Sequence, residues 1–313
     1  VEAHELAFDA MGSQVRLLVE ATDGDGSAAE AADRERGFVA EFEAALSRFD
    51  PASELCALNA DPRPVVPASE LLRAAVRAGL EAARRTDGLV DPTLLGEIES
   101  AGYTGSPEGP GVPLEVALAA APERRPARPC ADAAWRQIEV DDAAGTISRP
   151  PGVRIDSGGF GKGLAADMIA ARLRGHRRFA IDCGGDARIG GAGALVDPYD
   201  VFVEHPLTGE RVYALRLGFG GIATSGLNVR IWQSDDGRFR HHLIDPSTGE
   251  PAWTGLIGAT ALGDTALEAE ALAKAALLSG SVGGRAVLAE LGGLLIHDDG
   301  QVETVGPIGA RPL

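Results

Sequence analysis

Apolar and polar residues alternate over residues 3–20 (AHELAFDAMGSQVRLLVE), and the alternation breaks at Met11-Gly12-Ser13. A period of two puts successive side chains on opposite faces, so the stretch predicts two short strands around a turn. Over residues 27–48 the period changes. Phe38, Phe42 and Leu46 recur beside an alanine face among Glu and Arg, which predicts an amphipathic helix. Ser47-Arg48-Phe49-Asp50-Pro51 ends it, because a residue before proline is pushed out of helical space. Ser53 and Glu54 open a short helix that runs to Asn59. Leu71, Leu72, Ala75, Val76 and Leu80 predict another over 68–86, stopped by Thr86-Asp87-Gly88.

Further along, Val90-Asp91-Pro92-Thr93 precedes a Gly-Tyr-x-Gly turn at 102–105. Residues 106–134 are rich in Pro, Ala and Arg without a clear period. They read as irregular or weakly helical, a candidate variable insertion. A hairpin is predicted from Trp135–Val140 and Thr146–Arg149 about a turn at Asp141–Gly145. The glycine run Ser157–Gly163 leads into a helix from Leu164, then a strand at Phe179–Cys183 that meets Gly184-Gly185-Asp186. Strands follow at Val201–Glu204, Val212–Leu217, Ile222–Gly226 and Ile257–Leu262. An alanine-rich helix spans roughly 264–279, with a last helix at 281–291 and strands at the C-terminus. Hairpins mixed with helix crossovers, without βαβ regularity, predict an α+β or mixed α/β fold. Its sheets would be largely antiparallel with packed helices, in a single domain over 1–313 built as two intimately associated lobes.

Composition narrows the function. Forty-six acidic and 29 basic residues give a formal net charge of −17, a field that repels a nucleic-acid backbone. A small anion could bind only where positive charge or backbone N–H groups gather. Only two of the basic residues are Lys, Lys162 and Lys274, and both fall in well-patterned helical segments. Cys56, Cys130 and Cys183 fit neither a zinc spacing nor a disulfide framework. No apolar run reaches membrane-spanning length, and the first residues lack a signal-peptide core. The expectation is a soluble protein, cytoplasmic as it stands. The missing initiator Met leaves a removed leader open.

Four features could carry chemistry. In IDSGGFGKG (155–163), closely spaced glycines before a helix let N–H groups converge on an anion, and Lys162 adds a full charge. The spacing is neither that of a P-loop nor that of a dinucleotide fingerprint, and a tight strand-to-helix turn explains it equally well. His241 and His242 would face opposite sides of a strand, so one of them could serve a site as general base, or both could be structural. Asp186 and Asp245 lie at turns, where Asp commonly bonds its own backbone. Glu270 and Lys274 are i,i+4 on one helix face, either as a simple ion pair or as polar groups turned inward.

Taken in order, MGSQVRL (11–17), LSRFDPASELCALN (46–59), DGLVDPTLLGEIESAGYTG (87–105), IDSGGFGKGLAADMI (155–169), IDCGGDARIGG (181–191), IATSG (222–226), HHLIDPSTGEP (241–251) and ALEAEALAKAALLSG (266–280) resemble the ApbE family, the FAD:protein FMN transferases. The resemblance covers about 7–296, with 106–134 unmatched. It implies that FAD is split at its pyrophosphate. FMN would pass to a Thr or Ser hydroxyl of an acceptor flavoprotein with an FMN-binding domain, and AMP would leave. Such chemistry calls for a divalent cation, magnesium, and a base. By the same resemblance Met11, Phe49, Asp91 and Thr93 border the flavin. Gly158, Gly159, Lys162 and Asp186 lie near phosphate and ribose. Thr224, Ser225 and His242 approach the reacting phosphate, with His242 the candidate base.

The metal would be held by the alanine-rich helix together with a backbone carbonyl of the glycine loop, at Gly159. The family usually shows A-D-A-L-A-T there, and this chain has Ala269-Glu270-Ala271-Leu272-Ala273-Lys274. Glu270 could still ligate Mg²⁺. Lys274 cannot, because an ammonium has three donors and no acceptor, so it would act as a counter-charge instead. Leu227 replaces an Asp or Asn after ATSG, and Ala101 replaces a Trp before the 102–105 turn. An FAD-binding protein without transfer, and an FAD pyrophosphatase giving FMN and AMP, are the alternative readings.

Overall fold

The alternation over residues 3–20 folds as an antiparallel hairpin, Glu2–Ala10 against Ser13–Ala21, with Ala10 opposite Ser13. Its turn takes Met11 to φ 53° and Gly12 to φ 66°, the pair of positive angles that a two-residue hairpin loop needs. Gly12 adopts this freely. Met11 is strained there, and its N–H is held by Glu43 Oε1 at 2.9 Å. The structure is a computed structural model and describes residues 1–21, 26–105, 111–234, 236–308 and 310–312.

The hairpin forms one edge of an eight-stranded sheet. In spatial order there follow Arg178–Cys183, Asp186–Gly190, Gly220–Gly226, Leu256–Gly263, Gly293–His297 and Val302–Val305. Each strand is antiparallel to its neighbours. Three helices pack on it in turn: Ala28–Leu46 on the hairpin, Gly161–Leu173 on the next two strands, and Ala266–Leu278 on Gly220–Gly226 and Leu256–Gly263. A three-stranded sheet of Tyr199–Glu204, Arg211–Leu217 and Ala310–Pro312 adds a smaller core, where Val203, Tyr213 and Leu215 meet Ile222 and Leu294.

The main interior divides in two. One core gathers Leu17, Phe42, Leu55, Ile147 and Ile169. The other gathers Leu227, Trp253, Leu256, Leu277 and Leu295. The helix Ala266–Leu278 serves both, giving Ala266 and Ala271 to the first and Ala269, Ala273 and Ala276 to the second. A helix enclosed on all sides has no surface for a polar stripe, and small side chains let its neighbours come close. One close approach is at Gly163, where a Cβ would lie 2.7 Å from the backbone of Ala266 and Leu267. One turn on, the Asp167 carboxylate accepts the N–H groups of Ala266 and Leu267, both at 2.9 Å, and caps the alanine helix.

Several sequence expectations are adjusted. The glycine-loop helix starts at Gly161 and not at Leu164, so Lys162 belongs to its first turn. The 135–140 segment is a strand only over Glu139–Asp141, after a 3₁₀ turn at Ala134–Gln137. Leu95–Ser100 is helical, which no local pattern announced. Of the 106–134 stretch, 106–110 lie outside the described residues. The rest holds a helix at Leu114–Ala119 and is tied into the second core by Arg125 N–H to Trp253 O and Ala127 N–H to Leu278 O, each 2.8 Å. Among the described residues no helix is long and apolar enough to cross a membrane.

Candidate active site

The two cores leave between them a cleft of about 540 Å³. Its floor is the glycine segment, which distant side chains fix from both ends. Asn59 pairs its amide with the Ile155 backbone, accepting N–H and donating to C=O at 2.8 Å each. Ser157 Oγ donates to Leu46 O at 2.9 Å, and Asp156 N–H to Pro92 O at 2.9 Å. The segment is less of an N–H cradle than its glycines suggest. Gly158 N–H goes to Asp156 Oδ1, Gly161 N–H to Ser157 O, and Gly163 N–H to Glu270 Oε2. The positive charge of the cleft therefore comes from side chains, Lys162 and Lys274 with Arg48 and Arg230.

Both lysines of the chain line this cleft, from different helices. Lys162 Nζ lies 2.7 Å from Asp186 Oδ2 and 3.3 Å from the Gly184 carbonyl. Burial alone would lower its pKa, but the Asp186 and Glu270 carboxylates outweigh that and raise it, so the charge is firmly held. Lys274 Nζ lies 2.7 Å from Glu270 Oε1. His242 joins them at the wall. Burial, and next the Lys274 ammonium, hold its imidazole down to about 3, so it is neutral near pH 7. Among the described residues its buried Nδ1 has no hydrogen-bond partner.

The cleft also has aromatic lining, Phe49 and Tyr103. The Arg48 guanidinium sits 4.2 Å over the Phe49 ring and 4.6 Å over Tyr103, and both of its Nη atoms donate to the Tyr103 carbonyl. Its Nε is 3.6 Å from Asp156 Oδ1, whose carboxyl burial pushes above the usual range against the pull of Arg48. Tyr103 stacks on Trp232 at 5.4 Å, and Trp232 Nε1 donates to Ala101 O at 2.8 Å. An indole from elsewhere in the chain thus stands against Ala101. Arg230 closes the wall, donating to the Tyr103 hydroxyl at 2.9 Å and to Gly12 O at 3.0 Å.

Met11, Phe49, Asp91, Gly158, Gly159, Lys162, Thr224, Ser225, His242 and Lys274 all line this one cleft. Three other expected site residues stand behind it. Thr93 gives its N–H and hydroxyl to Asp91 Oδ1, at 2.8 and 2.5 Å, and so holds Asp91. Asp186 is buried and meets the cleft only through Lys162. Glu270 is fully buried behind Lys274. Thr224 and Ser225 differ as well: strand alternation sends them to opposite faces, and Thr224 Oγ1 lies 2.9 Å from Thr260 Oγ1. Arg48, Asp156, Tyr103 and Arg230 were not singled out from sequence. Asp156 could have been, as a carboxylate inside the glycine motif. Arg48 also lies in a matched motif, 46–59, whereas Arg230 is one of many arginines, with no local signal.

These residues do not fit the divalent cation that the resemblance implies. Both Glu270 oxygens are engaged, one by an ammonium and one by a backbone N–H. The neighbouring position presents donors where a metal needs acceptors. Among the described residues no group of three or more His, Cys, Asp or Glu is arranged to hold a metal ion.

His241 takes the other side of its strand end. It is fully buried, packs edge-on against Trp253 at 4.7 Å, and its Nδ1 accepts the Leu243 N–H at 3.3 Å. Burial, with His242 adding to it, pushes its pKa down to about 3. The unfolded chain takes up a proton below about 6.5 and the folded one does not until about 3, so stability falls as the pH drops through that window. His241→Phe should remove about 2 kcal/mol of the stability lost between pH 6.5 and 5. Urea unfolding at the two pH values measures this; an unchanged acid loss in the variant would show that His241 is not held neutral.

Comparison with known proteins places this geometry. The family model of the ApbE family matches residues 11–295. The FAD:protein FMN transferase of Salmonella typhimurium is 28% identical over 235 residues, 73% of this chain and 62% of that protein. The one from Escherichia coli K12 is 32% identical over 125 residues, 39% of this chain and 35% of that protein. The chain thus spans less than two thirds of the length of these relatives. The crystal structure of the ApbE protein of Thermotoga maritima superposes with a TM-score of 0.77 at 27% identity, covering 97% of both chains. Apo flavinyl transferase ApbE of Pseudomonas stutzeri shares the fold, with a TM-score of 0.76 at 21% identity, over 99% of this chain and 94% of that one.

Proposed function

Because this chain belongs to the ApbE family, we propose that the cleft binds FAD and that the protein transfers FMN from it to an acceptor flavoprotein. The observation that carries the reading is the lining of the cleft. Phe49 and Tyr103, the latter backed by Trp232, offer aromatic faces suited to a flat isoalloxazine, and the only two lysines of a chain whose net charge is −17 line the same cleft with Arg48 and Arg230. A flavin dinucleotide has the matching shape: a large apolar ring joined to a diphosphate.

In the reaction, the oxygen of a Thr or Ser hydroxyl in the acceptor's FMN-binding domain attacks the FMN phosphorus. The bond from that phosphorus to the AMP phosphate oxygen breaks, and AMP leaves. The His242 imidazole takes the hydroxyl proton as the new ester forms, and Lys162 and Lys274 stabilise charge on the phosphoryl oxygens. The diphosphate also prepares the base. Its negative charge offsets the lysines that depress His242, so the imidazole becomes more basic when FAD is bound.

Incubation with FAD and an FMN-binding-domain acceptor, read by intact mass and by AMP release, tests the proposal. The expected result is an acceptor heavier by one FMN with an equal amount of AMP. AMP and free FMN without the adduct would instead identify a hydrolase, and retained intact FAD a binding protein.

A further inference from the structure

Glu270 and Lys274 are one turn apart on a helix that both cores enclose, yet they occupy different depths. Glu270 is fully buried, whereas Lys274, with 11% of its side chain exposed, lines the cleft. The carboxylate is fixed at both oxygens, by the Lys274 ammonium at 2.7 Å and the Gly163 N–H at 2.8 Å. Turning an oxygen toward the cleft would strip a buried N–H or a buried ammonium of its partner, each a substantial cost. The position facing the ligand is thus held by a cation that is part of the chain.

An ammonium has three donors. Among the described residues, the hydrogen bond of Lys274 is to Glu270, which leaves two N–H groups for oxygens in the cleft. Lys162 stands on the neighbouring helix in the same arrangement, an ammonium in the cleft backed by a buried carboxylate, here Asp186. Two carboxylate-backed ammoniums facing one cleft match a diphosphate, whose charge is spread over two groups of oxygens.

We infer that Lys274, oriented by Glu270, is a resident cation that does the work of a divalent metal, so that the cleft binds a flavin diphosphate without Mg²⁺. This rests on the FAD reading above and goes beyond it, because it fixes what neutralises the diphosphate. It also makes Glu270 a positioning residue: its role is to aim the ammonium and not to ligate a metal.

FAD affinity measured by flavin fluorescence in excess EDTA and in excess MgCl₂ tests this directly. Wild-type protein should bind FAD equally, within about twofold, in the two conditions. Lys274→Met should weaken FAD by about 10- to 100-fold in EDTA, the worth of hydrogen bonds to a charged group, and leave riboflavin affinity unchanged. Lys274→Thr frees Glu270 Oε1 and adds a hydroxyl oxygen. With FAD present it should show bound Mn²⁺ by electron paramagnetic resonance where wild type shows none. FAD binding by wild type only in MgCl₂, or Mn²⁺ bound by wild type with FAD, would overturn the inference and leave the flavin reading standing. No FAD binding in either condition would overturn the flavin reading itself. The wild-type comparison needs no variant to fold.

Discussion

His242→Gln is expected to slow FMN transfer by about 10²- to 10⁴-fold while FAD affinity changes by no more than a few-fold. His242 is the imidazole that lines the cleft with Lys274, whereas His241 is locked against Trp253. Burial and the Lys274 ammonium keep it neutral, and a neutral imidazole can accept a proton from the attacking hydroxyl. Glutamine preserves polarity and approximate size but cannot take that proton. The size of the loss is set by the proton transfer, since Lys162 and Lys274 remain to hold the diphosphate. Single-turnover transfer to an acceptor, with FAD affinity measured in parallel, separates the two effects. A variant within tenfold of wild type in transfer would remove His242 from the role of base.

The same residue gives the pH dependence a sign. In the free protein its imidazole titrates near 3, so the acid limb of kcat/KM should lie at low pH. In the complex the diphosphate offsets the lysines and raises the imidazole, so the acid limb of kcat should lie at higher pH than that of kcat/KM. Coincident limbs would mean that the ligand charge does not reach His242.

The second large effect is structural. Gly163→Val should destabilise the fold by about 3 kcal/mol and abolish FAD binding. A Cβ at this position lies 2.7 Å from the C and O of Ala266 and the N of Leu267. These are backbone atoms, which no rotamer change can move aside. The crossing is also fixed by Asp167 on the Ala266 and Leu267 N–H groups and by Glu270 on the Gly163 N–H, so the helices have little freedom to separate. Moving them would carry Lys162 and Lys274, two of the cations lining the cleft, apart. Gly159→Ala is the control. Its Cβ would meet Val90 Cγ1 at 3.5 Å, an ordinary contact, and stability should stay within about 0.5 kcal/mol of wild type. Urea denaturation of both variants checks the contrast; equal losses would mean that the helix crossing is not the constraint.

That contrast marks the limit of what a glycine run says by itself. Gly158, Gly159, Gly161 and Gly163 look alike in sequence, which supports backbone approach to a phosphate and a tight strand-to-helix turn equally. The structure gives Gly163 a different reason, the approach of a second helix from a hundred residues away. The helix start moved for the same cause. Glycines are poor helix formers, so local pattern placed the first turn at Leu164, but the packed partner and the Glu270 carboxylate hold Gly161-Lys162-Gly163 in the helix. Leu95–Ser100 was missed because six residues are too few to display a period.

What the sequence determined by itself is what short-range chemistry decides. The period of two around Met11-Gly12 gave the hairpin, and periods near 3.6 gave the helices at 28–46, 70–85 and 266–278. The ordered motifs gave the family. Residue types set hard bounds, above all that Lys274 cannot ligate a metal. Only the tertiary structure decided direction and depth. It put Glu270 behind Lys274, Thr93 and Asp186 behind the residues they hold, and Arg48 against both Phe49 and Tyr103. The physical reason is that burial and electrostatics are sums over neighbours distant in the chain. An i,i+4 Glu–Lys pair reads the same on a solvated helix as on one sealed between two cores. Here the seal leaves one of the two facing the cleft, and that one is the lysine.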